Sequence, residues 1–356
     1  MSYKIKLFKE INEELKESWA RVEKNSLNNC FSSFSWIANY VLSYKELRKN
    51  SKLRIFIIYF KSEPVCILPF EIVKKFKTNI LYWACDSKSD FHAPLRKKNF
   101  NFERKAFKEI WNKILCSMPD IDIIYLKKQL NFSDNPNNPF ISFLKNSKES
   151  TIHQINLPKK WKDYTDKILK NKFYKDLLRT KRLLKKFGKV EFIIAKKTKE
   201  KFDLIEQLIE QKKNSLEKKN IRSISNQDLN FYKNFEKYEG KEYFTQVSAL
   251  KLNGRFIAIH WGVITKNRYY YLLPSMIEGE VKKFSPGKLL LSLLIRRAIS
   301  KKIEIFDFGL GDETYKKKWS NKSENIYNHI ELKKIKGLFF YILIQAKQFI
   351  NRYKKY

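Results

Sequence analysis

Between Lys283 and Trp319 the hydrophobic pattern changes period three times. A polar loop with SPGK leads into LLLSLLI, apolar on one face at helical spacing, and then into the basic RRAISKK. The spacing predicts a helix from about Gly287 to Lys301, with its cations near the C-terminal end where they complement the macrodipole. The run IEIFDF that follows, rich in β-branched and aromatic residues, predicts a strand over Ile303–Phe308 with Glu304 turned outward. GLGDETYKKKW then reads as a polar turn and one helical turn, with Asp312 as its N-cap and an i to i+4 pair open to Lys316.

Two stretches of the chain share one order of elements. In the first, Leu53–Tyr59 and Pro64–Val73 are strand-like runs separated by KSE, followed by LYWA, a polar loop, an apolar-periodic helix around Phe102–Cys116 and the strand IDIIYL. In the second, Phe244–Leu252 and Phe256–Thr265 flank NGR, a strong hairpin signal, and are followed by RYYYLLP, a polar loop, the SPGK helix and IEIFDF. The correspondence predicts two compact α/β units, over 1–150 and 151–332, with an interrupted linker region between Leu130 and Lys160 containing SDNPNNP. Residues 333–356 read as an amphipathic C-terminal helix with lysines before and after GLFFYILIQAKQFI; docking on the protein is the simpler reading and a contact with a membrane interface the alternative.

The formal net charge of +37 invites a nucleic-acid partner, but lysine is spread over every helix and loop instead of clustering with arginine and aromatics, so no specific nucleic acid is expected. Cys30, Cys66, Cys85 and Cys116 match neither a zinc ribbon nor a CxxC pair and read as reduced, buried residues. His92, His153, His260 and His329 are scattered, so no metal is expected. The N-terminal residues lack an apolar run of leader type and no run is long enough to span a bilayer, which predicts a cytoplasmic protein, with the inner membrane face reached only through the C-terminal helix.

Chemistry is concentrated in the second stretch. Ser285, Pro286 and Gly287 supply a cap candidate, a fixed φ and a residue without Cβ, so the amides of the following helix can approach a phosphate, and Lys288 adds a cation. The corresponding segment of the first stretch, RKKNFNFERKAF, has no glycine. Asp307 is a carboxylate at the end of an apolar strand, which suits either a hydrogen-bond acceptor for the Gly309–Gly311 turn or a catalytic group. His260 sits in the apolar run IAIHWGV; it suits a general base, and a core histidine equally.

SPGK, the leucine-rich helix and DFGLGDETYKKKW together resemble the C-terminal motif of the BioF-like or CelD-like acetyltransferases, a branch of the GNAT superfamily associated with bacterial cellulose and exopolysaccharide synthesis. FSSFSWI, CDSKSDFHAPL, FYKDLLRTKRLLKKFG and GRFIAIHWGVITKNRYYYLLPSM fit the same family, so the resemblance covers most of the chain. It implies tandem GNAT-like domains, each a mixed, mostly antiparallel sheet flanked by helices, with the second using acetyl-CoA or another acyl-CoA and the first shaping the acceptor site. By that resemblance Tyr271, Leu272 and Leu273 receive the pantetheine arm, and Ser285, Pro286, Gly287, Lys288 and Leu289 hold the pyrophosphate. His260, Asp307, Asp312 and Lys316 are the catalytic candidates, and Asp90, His92, Tyr270, Tyr315 and Trp319 the candidates for the acceptor. The implied activity is acyl transfer to an amino sugar or another precursor of a surface polysaccharide. The alternatives are a Fem-like transferase using aminoacyl-tRNA, which resembles the same tandem fold, and a non-catalytic assembly factor that keeps it.

Overall fold

A computed structural model describes residues 3–26, 29–131, 138–218, 224–238 and 243–353. They form two compact units, Met1–Thr151 together with Glu324–Tyr356, and Ile152–Ser323. SDNPNNP lies, as far as Asn137, outside the described residues. The rest of the region read as a linker is structured, and residues from Glu324 onward group with the first unit instead of closing the second.

In chain order the elements are β1 (Tyr3–Phe8), α1 (Glu13–Glu23), α2 (Phe34–Ser43), β2 (Ser51–Phe60), β3 (Glu63–Lys75), β4 (Thr78–Trp83), β5 (Leu95–Arg96), α3 (Arg104–Cys116), β6 (Ile123–Leu130) and α4 (Pro139–Phe143). They continue with β7 (Ser147–Asn156), α5 (Trp161–Lys167), α6 (Asn171–Lys186), β8 (Val190–Ile194), α7 (Thr198–Glu217), α8 (Asn226–Asn234), β9 (Tyr243–Leu252), β10 (Arg255–Thr265) and β11 (Arg268–Met276). The last are α9 (Pro286–Ser300), β12 (Ile305–Leu310), α10 (Thr314–Trp319), β13 (Lys322–Leu332) and α11 (Leu338–Tyr353).

The first unit's sheet runs β1-β2-β3-β4-β6-β13 and the second's runs β8-β9-β10-β11-β12-β7. Neighbours are antiparallel except β4 with β6 and β11 with β12. Each unit therefore repeats one plan: a strand, two helices, a three-stranded meander, a crossover helix (α3 or α9) and a parallel strand. The crossover helix explains the parallel pair, because a parallel neighbour cannot be reached by a tight turn.

The β9–β10 hairpin shows how closely local chemistry sets this plan. Asn253 and Gly254 have φ of 49° and 81°, the paired left-handed conformation that a two-residue turn matched to strand twist requires. Asn253 adds a second function: its side chain accepts from the Lys189 amide at 2.9 Å and donates to the Phe187 carbonyl at 2.9 Å, tying the end of α6 to the hairpin.

The second unit's core lies where α9 covers the sheet. Leu289, Leu290, Leu291, Leu294, Ile295, Ala298 and Ile299 pack with Tyr269, Tyr271, Phe306 and Phe308. Each fully buried leucine in such a core contributes roughly 1.5–3 kcal/mol. Leu177 and Leu184 of α6 and Trp319 of α10 close the same cluster. Among the cysteines, Cys30, Cys66 and Cys85 are buried and outside any disulfide, whereas Cys116, expected inside, is exposed at the end of α3.

Gly262 is fixed by close packing. A Cβ built there lies 2.5 Å from Cε1 of His260 and 2.5 Å from the Tyr270 carbonyl oxygen, and the second of these is backbone that cannot swing away. Gly262→Ala is therefore expected to destabilise the chain by about 1–3 kcal/mol, read as a lower urea midpoint at unchanged slope.

Candidate functional site

β11 and β12 run parallel for only three residue pairs, Arg268–Tyr270 against Ile305–Asp307, and then part. The parting is built in on both sides. On one, the β10–β11 register slips between Trp261 and Gly262, which face Leu273 and Tyr271, so Leu272 is the extra residue of a bulge. On the other, the β12–β7 register breaks between Asp307 and Leu310. Tyr271, Leu272 and Leu273 thus stand just beyond the last parallel pair, where β11 no longer has β12 beside it.

Asp307 anchors this junction and is fully buried. Its Oδ2 accepts from Nη1 of Arg268 at 2.8 Å and from Nε2 of Gln154 at 2.9 Å, while Oδ1 accepts from the Gly309 amide at 2.8 Å. Of the two roles open to Asp307 in the sequence, the geometry fits the acceptor for the glycine turn. Tyr270, a candidate for the acceptor, is fully buried beside Arg268, whose guanidinium lies 5.8 Å from its ring.

His260 is also fully buried. Its ring stacks on Tyr271 with centroids 4.3 Å apart and planes 5° apart. Gln246 Nε2 donates to Tyr269 Oη at 3.0 Å, and Tyr269 Oη lies 3.4 Å from His260 Nδ1. Which of Tyr269 Oη and His260 Nδ1 donates is set by the imidazole tautomer. Burial pushes the His260 pKa down to about 3. The imidazole is neutral at physiological pH, and titration near neutrality, the reason for reading it as a base, is lost to desolvation.

The turn after β12 departs from its expected capping. Glu313, not Asp312, occupies the N-cap of α10, and its side chain makes no cap bond. Asp312 Oδ1 lies 2.8 Å from Nε2 of His153, a buried residue of β7, and Lys317 Nζ lies 3.1 Å from the same carboxylate. The His153 hydrogen bond, then Lys317, holds the Asp312 carboxyl below its usual range. Lys316, four residues on and open to an ion pair with Asp312, is instead buried and donates to the Leu310 carbonyl at 2.6 Å and to Glu313 at 2.9 Å. Tyr315 is exposed. Trp319, read as an acceptor contact, is a core residue with no exposed surface, edge-on to Phe173 at 5.0 Å, and its carbonyl accepts from Tyr164 at 2.8 Å.

Ser285 sits at the N-cap of α9 in the left-handed conformation, φ 49°, without a side-chain cap bond; Pro286 follows at N1. A Cβ added at Gly287 would meet only the Met276 sulfur, at 3.7 Å, so the space in front of the helix is open there. Leu289 turns into the core. Near this helix start a cavity of about 650 Å³ is lined by Lys170, Lys172, Lys288, Lys317 and Lys318, with Phe173 in its wall and Asp176 as its one acidic residue. Lys317 links the cavity to the Asp312–His153 pair.

Asp90 and His92 belong to the first unit, in the loop after β4. His92 is buried, stacked over Trp83 with planes 9° apart, and its Nε2 lies 3.8 Å from Asp86; burial lowers its pKa to about 3. Asp86 in turn is flanked by Lys127 and Lys128, and Asp90 is half-buried. The structure thus gathers Lys288 and Lys317 around one cavity with Asp312 and His153 next to it, and puts His260, Asp307, Tyr270 and Trp319 in the interior. His153, Gln154 and Arg268 were not among the sequence candidates. A His-Gln pair inside the strand-like STIHQINL carries the same anomaly as His260 in IAIHWGV.

Comparison with known proteins bears on this geometry. Residues 171–317 match the model of an acetyltransferase (GNAT) domain. The matched span runs from α6 into α10 and contains the β11–β12 junction, α9 and three of the cavity's lysines, Lys172, Lys288 and Lys317; Lys170 and Lys318 flank it. No curated protein matches the chain significantly. The solved structure of FemX has the same fold over 93% of this chain and 98% of its own, with a TM-score of 0.61 at 11% identity. L-PGS from Bacillus licheniformis covers 93% of this chain and 95% of its own, with a TM-score of 0.54 at 11% identity. At such identities the likeness is one of fold, and the fold is the tandem GNAT-like arrangement in both units.

Two measurements test these assignments. Arg268→Leu leaves Asp307 buried without its cation and should cost about 3–5 kcal/mol in urea unfolding. For Asp312 the folded carboxyl is the more acidic form, so its contribution is complete above the ordinary carboxylate range and disappears as pH falls through the folded value. Asp312→Asn should therefore melt below the parent at neutral pH, with the gap closing in acid.

Proposed function

We propose that the chain is an acyltransferase that takes its acyl group from acetyl-CoA or a related acyl-CoA and delivers it to an amine or hydroxyl of an amino sugar or another surface-polysaccharide precursor. The observation that carries the donor is the open start of α9, which lies within the span that matches the GNAT domain, beside a cavity lined by five lysines. Helix N-termini and lysines bind phosphates through unpaired amides and charge, and a CoA thioester presents several phosphates on one molecule. The acceptor rests on the motif resemblance alone.

In this reading Gly287 and Lys288 hold the pyrophosphate and the lysines around the cavity hold the remaining phosphate. The unpaired edge of β11 from Tyr271 to Leu273 takes the pantetheine amides as an added strand would be taken. The bound thioester supplies an activated carbonyl. The chain's own residues orient it, exclude water and accept the proton released by the attacking group; as the new acyl bond forms the thioester C–S bond breaks, and CoA leaves as its thiolate, which takes up a proton to depart as the thiol. We assign acceptance of the attacking group's proton to the His153–Asp312 pair, because an imidazole held by a carboxylate is fixed in one orientation, with its second ring nitrogen left to take up a proton. His260 supports the site from below by stacking on Tyr271, and Asp307 by fixing the strand junction.

A second reading is a Fem-like transferase that uses aminoacyl-tRNA; the chain-length fold likeness to FemX and the net charge of +37 favour it. The two separate in one calorimetric experiment with CoA, acetyl-CoA and deacylated tRNA as parallel ligands. Acetyl-CoA should bind at one site, and Gly287→Val should weaken it by at least about tenfold with the melting temperature unchanged, since the new side chain enters the phosphate space and meets little else. Equal CoA affinity in the folded variant removes the assigned pyrophosphate site. Absence of CoA binding with salt-steep tRNA binding would decide for the second reading. Silence with every ligand would point to a non-catalytic factor. Once an acceptor turns over, His153→Gln should lower kcat by about 10²–10⁴ and leave CoA affinity intact; an unchanged kcat would dismiss the assigned base.

A further inference from the structure

α11 is docked on the first unit by its less apolar face. Phe340 and Tyr341 pack on the small cluster of Ile80, Tyr82 and Ile123, Gln348 is buried and its Nε2 donates to the Tyr125 hydroxyl at 3.3 Å, and Gly337 sits against Ile123 at the helix entry. The opposite face is the apolar one. Phe339, Ile342, Leu343, Ala346 and Ile350 recur at helical spacing and all are exposed, Phe339 to 68% and Ile342 to 57%. A surface helix that serves only its own protein turns such a row inward. Here the row is displayed.

A second element extends the same patch. Phe76, at the tip of the β3–β4 turn, has φ 51° and is 88% exposed, with its ring 5.9 Å from that of Phe340. Ile335, before α11, is 86% exposed. The surroundings are basic: Lys74, Lys75 and Lys77 flank Phe76, Lys333, Lys334 and Lys336 flank Ile335, and Lys347 lies on the helix, all exposed. α11 itself contains no acidic residue. Of the acidic groups beside the patch, Glu331 pairs with Lys333 at 3.0 Å, and Asp122, buried and 3.9 Å from Lys336, accepts from the Asn79 amide at 2.8 Å.

We propose that this face is a membrane-docking surface, with α11 lying in the headgroup region of a bilayer rich in anionic lipid, Phe76 and Ile335 entering beside it and the lysines meeting lipid phosphates. Among the described residues no helix is long and apolar enough to cross a membrane, so the contact is peripheral. A second copy of the chain is the other occupant an apolar face suggests. Pairing two such faces would bring two lysine rims together, whereas an anionic surface neutralises them; charge selects the lipid. This proposal is independent of the acyl-transfer reading.

The test must separate insertion of the apolar row from the general attraction of a strongly basic chain to any anionic surface. The full chain is sedimented with vesicles of phosphatidylcholine alone and of phosphatidylcholine with phosphatidylglycerol, alongside the triple variant Phe339→Ser, Ile342→Ser, Ile350→Ser, which leaves the net charge as it is. Binding to the mixed vesicles that falls at least about tenfold in the variant supports the proposal, since each exposed large side chain contributes to interfacial partitioning. Absence of binding, or equal binding by parent and variant, overturns it. Sedimentation velocity without lipid is the second arm: a dimer that the triple variant abolishes would assign the face to a second copy and also overturn the proposal. Phe76→Ser, on a separate element, repeats the lipid measurement should the triple variant lose its native melting transition, and has to weaken mixed-vesicle binding for the proposal to stand.

Discussion

Asp307 is a charge the fold cannot leave alone. Buried at the point where β11 and β12 separate, it is compensated by one guanidinium, one amide side chain and one backbone amide, from β11, β7 and Gly309 near the end of β12. Those partners pin three strands to a single carboxylate. Losing any of them leaves a desolvated charge or donor, so the geometry of the junction is specified more sharply than apolar packing would specify it. The turn that follows carries Asp312 and leads into α10, and the opening between the strands begins at the next residue of β11. The catalytic candidates therefore depend on an interaction that itself has no need to touch a substrate.

Much of the fold was legible because its elements announce themselves locally. The Asn-Gly turn between two alternating runs gave the β9–β10 hairpin, and the change from helical to strand period at Ile303 gave α9 and β12 within a few residues. The repeated order of elements gave the tandem plan, to which the resemblance added a family. Side-chain roles were less legible because they depend on partners far along the chain. His260 and Asp307 stood out as polar residues in apolar strands, yet nothing nearby in sequence reveals that one is sealed against Tyr271 and the other paired with Arg268. Asp312 looked like a cap because the helix starts there; its real partner, His153, is 159 residues away. Trp319 was credited to the site for its motif, but a large aromatic in a short helix is equally what a core needs, and the core claims it.

The two units show what one plan does with different loops. In both, a parallel pair parts after two or three residues and a crossover helix bridges it. In the second unit the helix is entered through Ser285-Pro286-Gly287 and opens on a cavity rich in lysine. In the first, α3 is entered at Glu103 with a sequence lacking glycine, and the loop after β4 is filled by Asp86, His92 and two lysines. The backbone scaffold is shared, while the residues that enter the crossover helix differ between the two units.

The sixth strand of the first unit has a consequence for how the chain acquires its structure. β6 pairs with Ile326–Leu332, about two hundred residues downstream, so the first sheet has an open edge until nearly the whole polypeptide exists. Pairings of such sequence separation raise contact order and slow folding. During vectorial synthesis, where domains otherwise fold as they emerge, this first unit cannot finish first: the stretch Ile123–Leu130 must wait as an unpaired edge, exposed to the wrong partners, while the second unit is made. The order in which the gene is read and the order in which the two sheets are completed are thereby uncoupled.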